Sequence, residues 1–296
     1  MIIVLGSEGQ LGSAVVEAGK KAKIHTLGFS HNQCDIMDPN ALRAVLRPHM
    51  TDIRREEAFV VNCVGYTDVL RAEHDITSCF DLNAQGAYNV AMATYDYDMF
   101  LVHISTDYVF NGEVAGGYLP YSQTNPINAY GLSKLASEKI VAFRAPRYKI
   151  IRTSALFGPT ENRSKGTTIK KALIALKNKE TSYFTDEGSI SPSYAPHVAK
   201  TIVKLIEDKE MSLVKHPDDM QNIFHLVNEG QTTWYKLIKE AAQYYPYLHL
   251  GLKASGINYS TDVRRPLHSA LINDLEYYKL PPWQDGVKEY IGKCFS

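Results

Sequence analysis

A tyrosine and a lysine four residues apart, Tyr130 and Lys134, are the side chains best suited to chemistry in this sequence. Four residues make roughly one helical turn, so on a helix the two side chains share one face. Pro126, shortly before them, is typical of a chain that turns into a helix. A phenol can protonate a carbonyl oxygen, and a nearby ammonium lowers the phenol's pKa from its reference of about 10. The pair therefore predicts a proton donor, although a surface Tyr–Lys pair would have the same spacing.

A glycine loop at the start of the chain predicts a dinucleotide site. Ile2–Leu5 is a continuous apolar run, typical of a strand in a parallel sheet, and a helical pattern begins at Ser13. The spacing between them is G-x-x-G-x-x-G, which lets the backbone approach a pyrophosphate at a helix N-terminus. A tight structural turn is the alternative interpretation. The expected cofactor contacts in this loop are Gly6, Glu8, Gly9, Gln10, Leu11 and Gly12.

The end of the second predicted strand, Ile24–Leu27, bears on the choice of cofactor. An NAD-specific site usually has a carboxylate there for the ribose 2′-hydroxyl, and the loop that follows starts without one. Ser30 and His31 could hydrogen-bond a 2′-phosphate, which favours NADPH, with NADH as the alternative. Asp35 and Ile36 are expected at the adenine edge, although Asp35 could instead cap the next helix.

Two further segments complete the expected cofactor site. Phe59–Tyr66 reads as another buried strand, and its small terminal residues would let a cofactor lie across its end. Asn83 lies on the apolar stripe of a helix predicted over residues 76–95, so we expect it to be buried and hydrogen-bonded beside the cofactor. The expected contacts from the strand end are Cys63, Val64, Gly65 and Tyr66.

Hydroxyl side chains follow the next predicted strand, Phe100–Ile104, at Ser105 and Thr106. The carboxyl end of a central strand is where open α/β sheets bind ligands. Tyr130 lies 24 residues after Thr106, and a crossover of that size returns the chain to the same sheet edge. Hydroxyl, phenol and ammonium are therefore expected to converge, although a local turn built by Ser, Thr and Asp is the alternative.

The order of elements predicts an α/β fold, a Rossmann-type doubly wound parallel sheet with a smaller C-terminal substrate-binding lobe. Strands alternate with helices up to Lys149–Ser154, so residues 1–155 are assigned to the dinucleotide-binding domain. The pattern then loosens, and residues 156–296 are assigned mainly to the substrate-binding lobe, with some segments returning to the first domain. A chain of 296 residues can bury a substantial core in this arrangement.

Composition excludes several classes of partner. Thirty-two basic residues balance 32 acidic ones, so there is no charge excess for nucleic acid or an anionic membrane. No apolar run approaches the roughly 20 residues of a membrane span. The four cysteines lack C-x-x-C or metal-type spacing, as expected of thiols in a reducing compartment. We expect a cytoplasmic protein that binds small molecules and no metal.

With these motifs assembled, the chain resembles the extended short-chain dehydrogenase/reductase family over nearly its whole length. The glycine loop, the Asn83 helix, Ser105 and Thr106, and the Tyr–Lys pair occur in that family's order and spacing. Within the family, the chain is most similar to the dTDP-4-dehydrorhamnose reductases. Further matches are Tyr66, Thr67 and Val69, then Arg152–Ser154, Thr232–Trp234, Arg265, Pro266 and Ser269.

The resemblance implies a catalytic set of Thr106, Tyr130 and Lys134. Hydride would pass from NADPH to C4 of a nucleotide-linked 4-keto-6-deoxy sugar, giving dTDP-L-rhamnose for cell-surface polysaccharide. Tyr130 would protonate the ketone oxygen, Thr106 would hydrogen-bond it, and Lys134 would hold the nicotinamide ribose. The partner is then a small nucleotide sugar, with a homodimer as one option for assembly. The implied substrate contacts are Thr106, Asp107, Val109, Phe110, Ala155 and Arg265.

Departures from the family pattern bear on the reaction and the sugar. Ala155 stands where the family commonly has tryptophan, and Leu70 stands where it has aspartate, which leaves the identity of the sugar open.

A 4,6-dehydratase needs a glutamate where this chain has Tyr108. An enzyme like GDP-fucose synthase needs a cysteine, and none lies between Cys79 and Cys294. A nucleotide-sugar 4-epimerase and a non-catalytic subunit similar to the regulatory subunit of methionine adenosyltransferase stay as alternatives.

Overall fold

The computed structural model describes residues 1–50, 58–159, 167–208, 222–245, 251–256 and 263–294. The strands in these residues are β1 (Ile2–Leu5), β2 (Thr26–Phe29), β3 (Phe59–Asn62), β4 (Phe100–Thr106), β5 (Tyr148–Thr153), β6 (Leu156–Phe157), β7 (Ser182–Thr185), β8 (Ser193–Tyr194), β9 (Ile223–His225), β10 (Asn228–Glu229), β11 (Leu252–Ser255) and β12 (Leu280–Pro282). The α-helices are α1 (Gln10–Lys21), α2 (Pro39–Leu46), α3 (Val69–His74), α4 (Ile76–Phe80), α5 (Gly86–Asp96), α6 (Ala129–Arg144), α7 (Thr168–Lys177), α8 (Ala195–Glu207), α9 (Trp234–Ala242) and α10 (Trp283–Cys294).

A parallel six-stranded sheet with the order β2-β1-β3-β4-β5-β9 forms the centre of the described structure. The chain moves outward from β1 to β2 and then crosses to β3 on the other side of β1. The strand order therefore reverses between β1 and β3, which is where doubly wound sheets leave a crevice for a ligand. The predicted Rossmann-type α/β fold is confirmed.

Helices cover both faces of this sheet. Ile2 and Val4 of β1 belong to one apolar cluster, with α1 and α8, while Ile3 and Leu5 belong to a second, with α2, α5 and α6. All four side chains are fully buried, because alternate residues of a strand face opposite sides. This two-sided burial explains why β1 is a continuous apolar run rather than an alternating one.

A third apolar cluster lies outside the central sheet and is built from later parts of the chain. It joins α7, α9 and α10 around Phe157, Trp283 and Tyr290. Three short parallel pairs, β6 with β8, β7 with β11 and β10 with β12, accompany it. In contrast, β9 joins the central sheet and α8 packs on α1, although both follow residue 156.

Several element boundaries differ from the sequence-based expectations. Strand β2 begins two residues later than predicted, β3 ends at Asn62 rather than Tyr66, and β4 continues to Thr106. The helix predicted over residues 76–95 is interrupted by a π-helical turn at Asp81–Gln85. Such turns distort a helix locally and often occur at functional sites. Here the turn carries Asn83.

The described residues contain neither a membrane-spanning helix nor a metal-ligating cluster. None of the described helices is long and apolar enough to cross a membrane. The part of the chain that the structure covers also has no group of three or more metal-ligating side chains.

Candidate active site

The glycine loop brings the backbone of β1 against the start of α1. Gly6 has a left-handed backbone, with φ of +79°. A Cβ on Gly12 would lie 2.1 Å from the Gly6 carbonyl oxygen, so only glycine fits there. Gly9 is the N-cap of α1 and supplies no side-chain cap to the helix. The first N–H groups of α1 are therefore available for a phosphate, as the loop spacing predicted.

Two of the predicted cofactor contacts have side chains that face the core. Leu11 packs in the cluster between β1 and α8, and Ile36 packs in the cluster between β1 and α5. A cofactor contact at either residue would therefore be made by its backbone, and it stays a prediction. Glu8 is exposed and Gln10 is partly exposed, so their side chains are accessible at the loop.

The loop after β2 is ordered by its own side chains. The Ser30 N–H donates to Gln33 Oε1 at 2.9 Å, and Ser30 is buried. Asp35 Oδ1 accepts from the Met37 N–H at 2.9 Å, and His31 Nδ1 lies 3.8 Å from the same oxygen. Asp35 therefore holds a local turn; the side chain that caps α2 is that of Asp38. His31 is exposed beside this loop.

Asn83 joins the end of β3 to the helix that carries the Tyr–Lys pair. Its Oδ1 accepts from the Tyr66 N–H at 2.8 Å, and its Nδ2 donates to the Tyr66 carbonyl at 3.2 Å and to Ser133 Oγ at 2.9 Å. Asn83 is 2% exposed. A Cβ on Gly65 would lie 3.3 Å from Asn83 Oδ1 and 4.0 Å from Lys134 Nζ. The β3 loop and the predicted catalytic lysine are therefore neighbours, as expected from the sequence.

Helix α6 begins at a well-satisfied N-terminus. Asn128 caps it by accepting from the Gly131 N–H at 2.8 Å, and Glu73 Oε1 accepts from the Ala129 N–H at 2.6 Å. A Cβ on Gly131 would lie 2.1 Å from the Tyr108 carbonyl oxygen. The first turn of α6 therefore packs directly against the turn that follows β4. This contact fixes Tyr130 beside the end of β4.

Thr106, Tyr130 and Lys134 converge at the end of β4. The Tyr130 phenol lies beside Thr106, the last residue of β4. Lys134 is buried, and its Nζ donates to the Ile104 carbonyl at 2.7 Å. This is the arrangement that the sequence predicted, with a hydroxyl, a phenol and an ammonium at one sheet edge.

Burial dominates the ionisation of both members of the pair. It raises the pKa of Tyr130 well above its ordinary value, and the Thr106 hydrogen bond opposes that rise. It lowers the pKa of Lys134 to about 8, and the Glu138 carboxylate opposes that fall. The predicted lowering of the Tyr130 pKa by Lys134 is therefore not what this structure gives, because desolvation of the phenolate is the larger effect.

Polar side chains also bind α6 to the middle of β4. Ser137 Oγ lies 2.9 Å from His103 Nε2, and Ser105 Oγ donates to Glu138 Oε1 at 2.5 Å. Arg152 of β5 then donates to Glu138 through Nε at 2.8 Å and through Nη2 at 2.7 Å. Burial lowers the pKa of His103 well below its ordinary value, so this imidazole is neutral. Two residues of β4 and one residue of β5 thus hold these strands to the helix through buried contacts.

Asp107 directly follows Thr106 and is 4% exposed. Its Oδ1 accepts from Thr106 Oγ1 at 3.1 Å, and its Oδ2 accepts from Ser154 Oγ at 2.9 Å. A third hydroxyl, that of Ser269, also hydrogen-bonds this carboxylate. Burial raises the pKa of Asp107 to about 6, against the lowering effect of these bonds.

Val109 and Phe110, predicted substrate contacts, are fully buried. They belong to a small apolar cluster with Tyr118 and Leu271, in which the Phe110 and Tyr118 rings stack at 4.1 Å. Their side chains pack in the core, and a substrate contact at either residue stays a prediction. Their apolar character shapes the turn after β4 instead.

Arg265 and Ala155 border the site from the later part of the chain. Arg265 is exposed, and its Nη1 donates to the Tyr108 hydroxyl at 3.2 Å. The Tyr108 ring packs edge-on against the Tyr130 ring, with centroids 5.6 Å apart. Ala155 follows β5 with φ of +41° and is partly exposed. Both lie where the family resemblance implies a substrate.

Some residues at this site were not expected from the sequence. Thr153 is paired with Thr106 in the β4–β5 register, and its buried hydroxyl has no hydrogen-bond partner within the described residues. Asn128 also donates to the Arg264 carbonyl at 2.9 Å, which ties the arginine loop to α6. Glu138 could have been predicted from the sequence, because it lies four residues after Lys134 and therefore on the same helix face.

Comparisons with known proteins agree with this geometry. The chain is 27% identical to the spore coat polysaccharide biosynthesis protein SpsK of Bacillus subtilis (strain 168), over 98% of this chain and 96% of that protein. It is 27% identical to dTDP-4-dehydrorhamnose reductase of Escherichia coli (strain K12), over 100% of this chain and 98% of the relative. The crystal structure of dTDP-4-dehydrorhamnose reductase from Bacillus anthracis str. Ames in complex with NADP is similar, with a TM-score of 0.83, 26% identity and 98% of each chain covered.

A family model matches nearly the whole chain and confirms the resemblance predicted from the motifs. This match covers residues 1–295 and is described as the RmlD substrate binding domain. It includes the glycine loop, the Tyr–Lys helix and the arginine loop in one continuous unit, and the chain therefore belongs to the RmlD substrate binding domain family.

Proposed function

We propose that this chain is an NADPH-dependent reductase of the C4 keto group of a nucleotide-linked 4-keto-6-deoxy sugar. The proposed substrate is dTDP-4-dehydrorhamnose, and the product is dTDP-L-rhamnose. The single observation that carries the proposal is the convergence of three groups at the end of β4. Tyr130 packs edge-on against Tyr108 beside Thr106, and buried Lys134, one turn along the same helix, donates to the Ile104 carbonyl. The names of the reductase relatives support the same substrate class.

The residues divide the work by their chemistry. A bound nicotinamide would supply the hydride for the ketone carbon. Tyr130 gives its phenol proton to the ketone oxygen, and Thr106 holds the phenol in position. Lys134 lies beside Gly65, where its ammonium can hold a ribose hydroxyl. The cation also stabilises the phenolate that the reaction leaves on Tyr130.

The division of the chain follows from these roles. We assign residues 1–155 to cofactor binding and residues 156–296 mainly to the sugar nucleotide, with α8 and β9 belonging to the first unit. Ser30 and exposed His31 follow β2, and in this proposal they hydrogen-bond the 2′-phosphate of NADPH. The NADP complex of the Bacillus anthracis relative is consistent with that preference. Arg265 supplies an accessible guanidinium for a diphosphate.

The direct test follows NADPH absorbance on addition of dTDP-4-keto-6-deoxy-L-mannose. Substrate-dependent oxidation is expected with the wild type. Tyr130→Phe keeps the ring and removes the proton, so turnover should fall by roughly two to four orders of magnitude while the cofactor still binds. Tyr277→Phe is the matched control, because Tyr277 is 87% exposed and is not one of the site residues.

The outcomes separate the alternatives. A 4-epimerase would interconvert sugar nucleotides without net NADPH oxidation and would hold NAD through purification. A non-catalytic binding subunit would bind cofactor and sugar nucleotide with no turnover in either assay. A fully active Tyr130→Phe would remove Tyr130 as the proton donor and with it the proposed mechanism.

A further inference from the structure

We propose that Asp107 is a positioning residue that sets the direction of the Thr106 hydroxyl proton, and thereby decides whether Thr106 accepts from Tyr130 or donates to it. This inference rests on the proposed reductase function. It adds an ionisable group behind the proton donor, one residue away from Thr106 and out of solvent.

The Thr106 hydroxyl has three neighbours that matter. It donates to Asp107 Oδ1 at 3.1 Å, it accepts from the Tyr108 N–H at 3.3 Å, and it lies beside the Tyr130 phenol. A hydroxyl has one proton and two lone pairs. One lone pair is taken by the Tyr108 N–H, so one proton and one lone pair are shared between Asp107 and Tyr130.

The charge of Asp107 decides how these are shared. An ionised carboxylate only accepts, so the Thr106 proton points to Asp107, and Tyr130 must donate its own proton to Thr106. A protonated Asp107 can donate to Thr106, and the Thr106 proton then turns to the Tyr130 oxygen. Both arrangements satisfy every group, and they differ only in direction.

The two directions have opposite effects on reduction. In the reaction, the ketone carbon takes a hydride with its two electrons, the ketone oxygen takes the Tyr130 proton, and a phenolate remains. A Thr106 that donates stabilises this phenolate, whereas a Thr106 that accepts competes with the ketone for the Tyr130 proton. No proton leaves Asp107 in the reaction, since it acts only through the orientation of Thr106.

The surroundings of Asp107 keep its titration simple. Its carboxylate is held by the Ser154 and Ser269 hydroxyls as well as by Thr106, and burial raises its pKa to about 6. The ionisable groups that face it are Tyr130 from α6 and Tyr108 from its own turn, with Arg265 beyond Tyr108. The two tyrosines are neutral throughout this pH range, because burial raises both phenol pKa values.

The first measurement is the pH profile of kcat at saturating substrate and NADPH. We expect the wild-type rate to fall by roughly threefold to tenfold as pH rises through about 6, the effect of one hydrogen bond changing direction. Asp107→Asn should show no such inflection, since its amide can donate to Thr106 at every pH. Asp96→Asn is the matched control, because Asp96 is exposed at the end of α5. This variant should keep the wild-type profile. An unchanged inflection in Asp107→Asn would overturn the inference.

The second measurement needs neither cofactor nor turnover. The infrared band of a protonated carboxyl should titrate with a midpoint near 6 in the wild type and be missing from Asp107→Asn. Thr106→Val removes one hydrogen-bond donor to the carboxylate, so the Asp107 midpoint should rise. An unmoved midpoint in Thr106→Val sinks the inference even if Asp107→Asn does not fold. If no substrate is reduced but the midpoint moves, the proposed function fails and the coupling of Asp107 to Thr106 stands.

Discussion

Glu138 and Arg152 form a bidentate ion pair directly behind the candidate catalytic residues, and each side chain is 2% exposed. The Glu138 carboxylate also accepts from Ser105, the residue before Thr106, and the Arg152 Nη1 donates to the Pro120 carbonyl at 3.0 Å. The pair thus joins α6, β4 and β5 at the level of the site. A buried charge is tolerated in such a position only when it is paired and hydrogen-bonded.

Removing one partner of this pair should lower the free energy of unfolding far more than removing both partners. Arg152→Leu leaves Glu138 as an uncompensated buried charge, so we expect a loss of about 3–5 kcal/mol in the free energy of unfolding. The double variant, which combines Arg152→Leu and Glu138→Leu, should recover much of that stability, because no charge is left unpaired. Urea unfolding of the two single variants and the double variant gives the coupling energy. Strictly additive losses would contradict the pairing.

Gly12→Ala should disrupt the cofactor loop. The new Cβ would meet the Gly6 carbonyl at 2.1 Å, and this backbone oxygen cannot move aside as a flexible side chain would. We expect at least roughly tenfold weaker binding of NADPH, together with a stability loss of about 1–3 kcal/mol from the forced backbone shift. Cofactor titration by fluorescence and thermal unfolding measure the two effects.

The control for this change is Gly292→Ala on α10. A Cβ there meets nothing within 4 Å. Because alanine is the better helix former, this variant should gain up to about 1 kcal/mol and bind NADPH as the wild type does. Unchanged cofactor affinity in Gly12→Ala would mean that the loop does not hold the pyrophosphate.

Asn83→Ala should weaken cofactor binding specifically, in addition to lowering the stability of the fold. The amide fixes the backbone of Tyr66 at both its N–H and its carbonyl, and so orders the loop next to Lys134. Asn228→Ala is a suitable comparison, since Asn228 is also buried and holds Tyr194, His197 and Pro281, none of which is a predicted site residue. Both variants should lose stability, but only Asn83→Ala should raise the Kd for NADPH. Equal Kd values would make Asn83 purely structural.

Asp107→Asn should stabilise the fold at neutral pH. The pKa of Asp107 is raised from 3.8 to about 6, so between these values the folded chain binds a proton that the unfolded chain has released. The wild type therefore loses stability as pH rises through this window, by up to about 3 kcal/mol. The advantage of Asp107→Asn in urea unfolding should grow from pH 4 to pH 6 and level off above it. A difference independent of pH would contradict the raised pKa.

The sequence predicted the parts of the site that depend on local pattern and chain order. An apolar run, a glycine loop and an amphipathic helix place β1, the phosphate-binding turn and α1, because glycine geometry and strand burial are encoded within a dozen residues. The four-residue spacing of Tyr130 and Lys134 fixes them on one helix face for the same reason. Chain order then brings that helix back to the edge where β4 ends.

Other features depended on contacts between distant parts of the chain. Val109 and Phe110 follow the β4 hydroxyls in sequence, yet the later part of the chain buries them, while Ser154 and Ser269 come from far along the chain to hold Asp107. The pKa of Tyr130 also went against the local argument, since burial in the assembled site is the largest influence on it and raises it.

By itself, therefore, the sequence determined which residues could do chemistry and the order of the elements that carry them. The tertiary structure alone decided which of these side chains face the site, which face the core and how burial sets their charge. Spacing and periodicity act over a few residues, whereas burial and hydrogen-bond partners are known only after the whole chain has packed.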